Sequence, residues 1–153
     1  MKLADDSQPE VQCTGILTLA LTLRILKAEP YHAKAIARFK VALADPHSEI
    51  LRLLIKNIGK ILNGISYAEL ENDMELSVMI QTLLLVTSQN SLEEETLYLA
   101  QNIPAILLVY GADIFASELL PLIERLFNLT SASLAKVTLA ACFHEVFLAV
   151  YTE

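Results

Sequence analysis

The sequence predicts an all-α domain of about seven helices, and three observations lead to this fold class. Apolar residues recur at helical spacing along most of the 153 residues. Proline, aspartate and serine stand at positions typical of helix starts. No segment alternates apolar and polar residues for long enough to predict a sheet. A chain of this length buries one core, so we expect a single domain over residues 1–153.

Proline and serine mark the predicted helix starts. Pro9, Pro30 and Pro46 each stand where the first helical residue is expected, because a proline there loses no intrahelical hydrogen bond. Ser91 and Glu94 form a capping-box pattern before an apolar run. Together these signals predict helices over residues 9–28, 30–44, 46–63, 67–88, 91–110, 113–128 and 132–151.

Glycine and proline also predict where helices end or bend. Gly64 and Gly111 follow apolar helical segments and predict helix ends. The helix over 67–88 is expected to break near Asn72–Asp73. Pro104 and Pro121 are expected to kink or split the helices that contain them, because proline removes a backbone donor and clashes with the preceding turn.

The connections between the predicted helices are short. Helices that follow one another in the chain are therefore expected to lie side by side and antiparallel. Such helical hairpins stack into a short right-handed α-solenoid or fold into a compact helical bundle. We expect the solenoid, and the bundle stays the alternative.

The segment from Asp113 to Tyr151 favours the solenoid. It has a helix with a central proline, a short turn, and a second helix rich in alanine and leucine. It resembles a HEAT/armadillo-type repeat unit, in which the first helix carries an L-L-P-x-I-x-x-L run and the second helix packs behind it. The matching residues are Leu119, Leu120, Pro121, Ile123 and Leu126 in the first helix, and Leu134, Val137, Ala140, Ala141 and Val146 in the second. The resemblance implies a HEAT-like scaffold, and we expect either a segment of a longer solenoid or an oligomer.

Charge is distributed unevenly along the chain, whose net charge is −7. Residues 24–60 carry eight basic and three acidic residues, whereas residues 61–153 carry two basic and twelve acidic ones. Arg52, Lys56 and Lys60 lie within an arc of roughly 80° on one helix, and Lys34 and Arg38 repeat the four-residue spacing on the helix before it. We expect these five residues to bind an acidic peptide or helix, or the acidic half of another copy. The alternative is that they form only the solvated face of amphipathic helices.

Several other partners and compartments are not expected. The uncharged runs are shorter than the roughly 20 residues that a membrane span needs, so membrane insertion is not predicted. The acidic chain has few aromatic residues beside its basic ones, which argues against nucleic-acid binding. The N-terminus lacks the pattern of a secretory signal. The widely separated Cys13 and Cys142 are typical of buried free thiols, so we expect an intracellular protein, cytoplasmic or nuclear.

No set of residues matches a catalytic, metal or cofactor motif, so we predict no enzyme, no metal and no cofactor. The stretch GKILNGIS has glycines at phosphate-loop spacing, but Ile65 stands where the lysine is required. We expect Gly59 to permit close helix packing instead. His144 and Glu145 begin like a zinc-protease helix, but Leu148 replaces the second histidine.

The expected function is therefore a non-enzymatic helical-repeat scaffold or adaptor that mediates protein–protein interaction. The alternative is a compact helical regulator with a hydrophobic groove for an amphipathic helix. In size and architecture that alternative is similar to the Bcl-2-like proteins, although this chain has no Trp and so lacks their Trp-containing groove motif. A hydrophobic fraction of 54% exceeds the usual apolar share of a soluble domain and predicts that part of the surface is covered in either case.

Overall fold

The structure is a computed structural model that describes residues 8–23, 25, 31–44, 48–65, 67–89, 93–111, 117, 119–129 and 133–151. Within these residues every regular element is a helix and no strand is present, so the predicted all-α class is confirmed. The helices are α1 (Pro9–Thr22), α2 (Tyr31–Ala44), α3 (Ser48–Lys56), α4 (Ile58–Gly64), α5 (Tyr67–Asn72), α6 (Met74–Gln89), α7 (Glu93–Tyr110), α8 (Leu120–Asn128) and α9 (Ser133–Tyr151). The starts predicted at Pro30, Pro46 and Ser91 lie outside the described residues.

Two predicted helices are interrupted, so the described part of the chain has nine helices where about seven were expected. The helix predicted over 46–63 stops at Asn57, which separates α3 from α4. The helix predicted over 67–88 stops at Asp73, which confirms the expected break. Asp73 caps α6, because its Oδ1 accepts the N–H of Leu76 at 3.1 Å and its carbonyl accepts the N–H of Ser77 at 3.0 Å.

Two glycines end helices as predicted, and two prolines lie in the interior and in the first turn of helices. Gly111 follows α7 with a φ of 76°, and its N–H donates to the carbonyl of Leu107 at 2.8 Å, so this predicted end is confirmed. Gly64 is the last residue of α4, which is also as predicted. Pro104 lies inside α7 and does not split it. Pro121 lies in the first turn of α8, where its missing N–H costs no intrahelical hydrogen bond.

The central element of the helix packing is α7. It contacts α3, α4, α6, α8 and α9, and it packs most extensively against α9. These two helices begin side by side, since Ser133 Oγ lies 3.1 Å from Glu93 Oε1. The first helix, α1, packs against α2, α3 and α4, and α2 also packs against α6. Many contacts therefore join helices that are far apart in the chain.

Buried apolar side chains from these helices form one continuous cluster. Representative members are Ile16, Phe39, Ile58, Ile80, Ile103 and Leu126. Burial of such side chains is the main favourable contribution to folding, at about 1.5–3 kcal/mol each. Among the described residues, no helix has the combination of length and hydropathy that crossing a bilayer requires.

Candidate interaction surfaces

The junction between α3 and α4 is held by the side chain of Asn102 from α7. Asn102 Oδ1 accepts the N–H of Gly59 at 3.1 Å. Asn102 Nδ2 is 3.4 Å from the carbonyl oxygen of Ile55, 3.3 Å from that of Lys56 and 2.8 Å from that of Tyr98. One amide therefore satisfies backbone groups at the end of α3 and at the start of α4, where intrahelical partners are missing.

Gly59 packs directly against α7 at this junction. A Cβ atom added to Gly59 would lie 2.6 Å from Ala105 Cβ and 2.9 Å from Asn102 Oδ1. Both distances are shorter than van der Waals contact, so only glycine fits without displacing α7. The predicted role of Gly59 in close helix packing is confirmed.

Two of the five predicted partner-binding residues already contact α7. Arg52 Nη1 lies 3.3 Å from Glu94 Oε2, and Lys56 Nζ lies 5.1 Å from the centre of the Tyr98 ring. Tyr98 Oη in turn donates to Glu94 Oε1 at 2.8 Å. The charges of Arg52 and Lys56 are thus partly compensated within the chain, although an exposed pair of this kind contributes only about 1 kcal/mol or less.

The other three predicted residues lie on two separate helices. Lys60 is exposed on α4, Lys34 is exposed on α2, and Arg38 is half-buried on α2. Neither Lys34 nor Lys60 has an ion-pair partner among the described residues. Helix α2 packs mainly against α1 and α6, and α4 packs mainly against α7, while α3 contacts α1, α6 and α7.

Arg52, Lys56 and Lys60 form what we call the basic stripe of α3 and α4, and sequence reasoning missed the α7 residues that face it. Glu94, Tyr98 and Asn102 follow one another at four-residue spacing along α7, and this spacing matches that of Arg52 and Lys56 on α3. This matching four-residue spacing is the one signal in the sequence for the contact between α3 and α7, because it allows side chains on the two helix faces to pair. It does not show that these two helices are neighbours.

An open groove lies between α2 and the helix pair α5–α6, and we call it the α2–α6 groove. Its volume is about 720 Å³. The α2 wall is made of small and apolar side chains, while α5 and α6 contribute carboxylates and a methionine. The lining residues are Ala33, Ile36, Ala37, Lys40, Val41 and Ala44 from α2, and Ala68, Glu69, Asn72, Asp73, Glu75, Leu76 and Met79 from the facing wall.

Lys40 connects the two walls of the α2–α6 groove. Its Nζ donates to Asp73 Oδ1 at 2.7 Å and to Glu75 Oε2 at 2.8 Å. The hydrogen bond to Asp73 is the main reason that the pKa of Lys40 is raised, and the same bond lowers the pKa of Asp73. Both groups are therefore charged at neutral pH, and the ion pair links α2 to the start of α6.

A second apolar surface lies on α9. This helix packs inward through a narrow stripe that includes Ala135, Leu139 and Val146. Five large apolar side chains on its other sides are between 52% and 67% exposed. They are Leu134, Val137, Phe143, Phe147 and Leu148. Of the repeat-like positions in this helix, Leu134, Val137, Ala140 and Ala141 are exposed and Val146 is buried.

Glu95 is a buried carboxylate in the first turn of α7. It is only 1% exposed, and neither carboxylate oxygen has a hydrogen-bond partner. Burial raises the pKa of Glu95, and nearby Glu94 raises it further, while the positive charge of Arg52 lowers it. A carboxylate in this environment opposes folding when it is ionised.

Replacing Glu95 by glutamine is expected to stabilise the protein at neutral pH by about 1–3 kcal/mol, because the amide cannot ionise and so removes the cost of burying or protonating the carboxylate. The native state holds the Glu95 proton more tightly than the unfolded chain does. The contribution of Glu95 to stability is therefore greatest below the unfolded-state pKa of about 4.3 and is lost as the pH rises towards the raised native pKa. Urea unfolding of both proteins at a series of pH values measures the difference. Equal stabilities at every pH would contradict the prediction, and Glu93→Gln, at an exposed position of the same turn, is the matched control.

The histidines and cysteines do not form a metal-binding cluster within the described residues. His32 Nε2 contacts Glu69 Oε1 between α2 and α5, whereas His144 is exposed on α9. Burial raises the pKa of Cys13 and of Cys142, so both thiols hold their protons at neutral pH. Neither cysteine is therefore activated as a thiolate.

Comparison of this chain with protein-family models, with curated proteins and with solved structures gave no match. The chemistry of the surfaces described above therefore has to indicate the function.

Proposed function

We propose that this protein is a non-enzymatic, HEAT-like helical scaffold that binds an amphipathic helix from a partner protein in the α2–α6 groove. The observation that carries the proposal is the groove, which is open to solvent, apolar on its α2 side and bridged by Lys40. Binding of an amphipathic helix in an apolar groove is a recurring mode of protein recognition.

The apolar part of the groove suits a helix. Ala33, Ala37 and Val41 recur at four-residue spacing along α2, and Val41 is 63% exposed. Small side chains allow two helix axes to approach closely. The 14 residues of α2 extend over about 21 Å, which matches a docked helix of about four turns. Met79 on the facing wall has a flexible side chain that adapts to the apolar side chains of a partner.

The charged residues beside the groove indicate which side of the partner helix faces α2. Lys34 is two helical turns from Val41, so it lies on the same side of α2 and borders the outer edge of the groove. Arg38 is one turn after Lys34, so the two cations lie on the same side of α2. The carboxylates of Asp73 and Glu75 on the other wall are already bonded to Lys40. The proposed partner therefore has a stripe of apolar residues and an acidic flank that contacts Lys34 and Arg38.

Site-specific photo-crosslinking tests this proposal. A photoreactive phenylalanine at position 41 is expected to form an adduct with the partner in cells, and one at the exposed position 108 of α7 is the matched control. Lys34→Glu is expected to reduce the adduct at position 41 by at least about tenfold, because like charges then face each other. Adducts that form equally at both positions, or that Lys34→Glu leaves unchanged, would contradict the groove as the binding site.

The basic stripe on α3 and α4 supports a second candidate function, the binding of an acidic peptide. The observation in its favour is that Lys60 is exposed and has no described ion-pair partner, one turn from Lys56. The triple replacement of Arg52, Lys56 and Lys60 by glutamate is expected to abolish partner capture in this case. A partner that is lost in the triple variant, but is retained by Lys34→Glu, binds the α3–α4 surface and not the groove.

A further inference from the structure

The exposed face of α9 has the spacing of a coiled-coil seam. Leu134, Val137, Ala141, His144 and Leu148 are separated alternately by three and four residues. In a helix this spacing places side chains in one line along a single side. The inward stripe of Ala135, Leu139, Cys142 and Val146 also alternates between four and three, and it lies on roughly the opposite side of the helix.

We infer that this seam binds a second copy of the same chain, with the two α9 helices antiparallel about a two-fold axis. In this arrangement Val137 lies opposite Leu148 of the second copy, and Ala141 lies opposite its His144. Each larger side chain then meets a smaller one, which is what close packing requires.

The flank of the seam fits the same arrangement. Ala140 and Phe147 lie on one side of the seam, seven residues apart. In the antiparallel pair Phe147 of each copy lies beside Ala140 of the other. A parallel pair would instead place Ala141 against Ala141 and His144 against His144, which leaves a gap at one level and brings two titratable groups together at the other.

The exposed area is sufficient for a reversible dimer. The seam and its flank contain four of the half-exposed large side chains, Leu134, Val137, Phe147 and Leu148, and the exposed Ala140, Ala141 and His144. At on the order of 100 Å² for each half-exposed large side chain, with the three smaller contributions added, each copy offers roughly 500 Å². The pair then buries about 1,000 Å², which is the lower limit for a specific interface. A dimer of this size is expected to assemble and dissociate with concentration. The seam is nearly uncharged, so its association does not depend on opposite charges.

Sedimentation velocity over a wide concentration series is the first test. The protein is expected to form a dimer at both about 50 mM and about 500 mM NaCl, since salt screens ion pairs but leaves apolar contacts intact. Val137→Glu is expected to raise the dimer Kd at least about tenfold, because it buries an unpaired charge. Val78→Glu, at an exposed apolar position of α6, is the matched control and is expected to leave the Kd unchanged. A monomer at all concentrations, or a dimer that Val137→Glu leaves intact, would overturn the inference.

Cysteine crosslinking tests the antiparallel arrangement. In a background with Cys13→Ala and Cys142→Ala, the variants Val137→Cys and Leu148→Cys are oxidised separately and as a mixture. The mixture is expected to form a disulfide-linked dimer, because positions 137 and 148 face each other. Each variant alone is expected to remain uncrosslinked, since two copies of position 137 lie about 16 Å apart along the antiparallel helices, beyond the reach of a disulfide. Crosslinking of Val137→Cys alone would show a parallel pair and overturn the inference. Neither result depends on partner binding in the α2–α6 groove, which uses other helices.

Discussion

Replacing Asn102 by alanine is expected to lower the free energy of unfolding by about 2–4 kcal/mol, because several backbone groups lose their partner at once. The N–H of Gly59 and the carbonyl oxygens of Ile55 and Lys56 lie within 3.1–3.4 Å of the Asn102 amide. These groups lie where one helix ends and the next begins, so no intrahelical bond replaces the lost ones. Urea unfolding followed by far-UV circular dichroism measures the change.

Two further variants separate the hydrogen bonds from other effects of the Asn102 replacement. Gln101→Ala changes the preceding, exposed residue of α7 and is expected to alter stability by less than about 0.5 kcal/mol. Asn102→Asp keeps the acceptor for Gly59 but places a carboxylate oxygen beside three carbonyl oxygens, so it is expected to destabilise more at pH 7 than in mild acid. An Asn102→Ala protein as stable as Gln101→Ala would contradict the proposed role of the amide.

Gly59→Ala is expected to destabilise the protein by about 1–3 kcal/mol, although alanine is intrinsically the better helix former by about 1 kcal/mol. The added methyl group would lie 2.6 Å from Ala105 Cβ, which is fixed to the backbone of α7, and 2.9 Å from the bonded Oδ1 of Asn102. Neither atom is at the end of a flexible side chain, so α4 and α7 must separate. The same unfolding measurement reports the loss.

A double-mutant cycle shows whether the clash with Ala105 causes the loss. Ala105→Gly alone is expected to cost about 1 kcal/mol, because glycine has a lower helix propensity than alanine. In the Gly59→Ala background the same change removes the Ala105 methyl group with which the methyl group added at position 59 would clash. The double variant is then expected to be more stable than the sum of the two single effects predicts. Strict additivity, or a Gly59→Ala protein that is more stable than the parent, would show that α4 and α7 have room for the methyl group.

The junction that these variants test also positions the basic stripe. Arg52 and Lys56 are on α3, whereas Lys60 is on α4, beyond the break at Asn57. Asn57 Nδ2 donates to the carbonyl of Leu53 at 2.9 Å, which helps to end α3. Because Asn102 bonds to both helices, it fixes the direction of Lys60 relative to the other two cations.

Some boundaries could be predicted and others could not, for a physical reason. The break at Asp73 is predicted because its cause is local: an aspartate caps the helix that starts at the next residue. The break at Asn57 lies within an apolar pattern that continues through it, and the groups that stabilise it come from Asn102, which is 45 residues away. Local spacing carries no information about such a partner.

The candidate sites, like the helix boundaries, could be predicted only where their cause is local. Helical spacing indicated that Arg52, Lys56 and Lys60 share an exposed face, but not that Glu94 and Tyr98 compensate the first two. The α2–α6 groove was not predicted as a site, because its walls come from helices about 35 residues apart. They are joined by Lys40, which bonds to Asp73 and Glu75, and by His32, which contacts Glu69.

The sequence by itself determined the all-helical class, the apolar face of most helices and the surplus of apolar residues, because these depend on residue type and on spacing within one or two turns. Only the tertiary structure decided which apolar face of α9 is covered, since that helix is apolar on most sides and α7 covers just one stripe of it. The same holds for the close approach at Gly59 and for the groove beside α2. Each depends on which helices become neighbours, and that choice is made by the packing of the whole core and not by any segment alone.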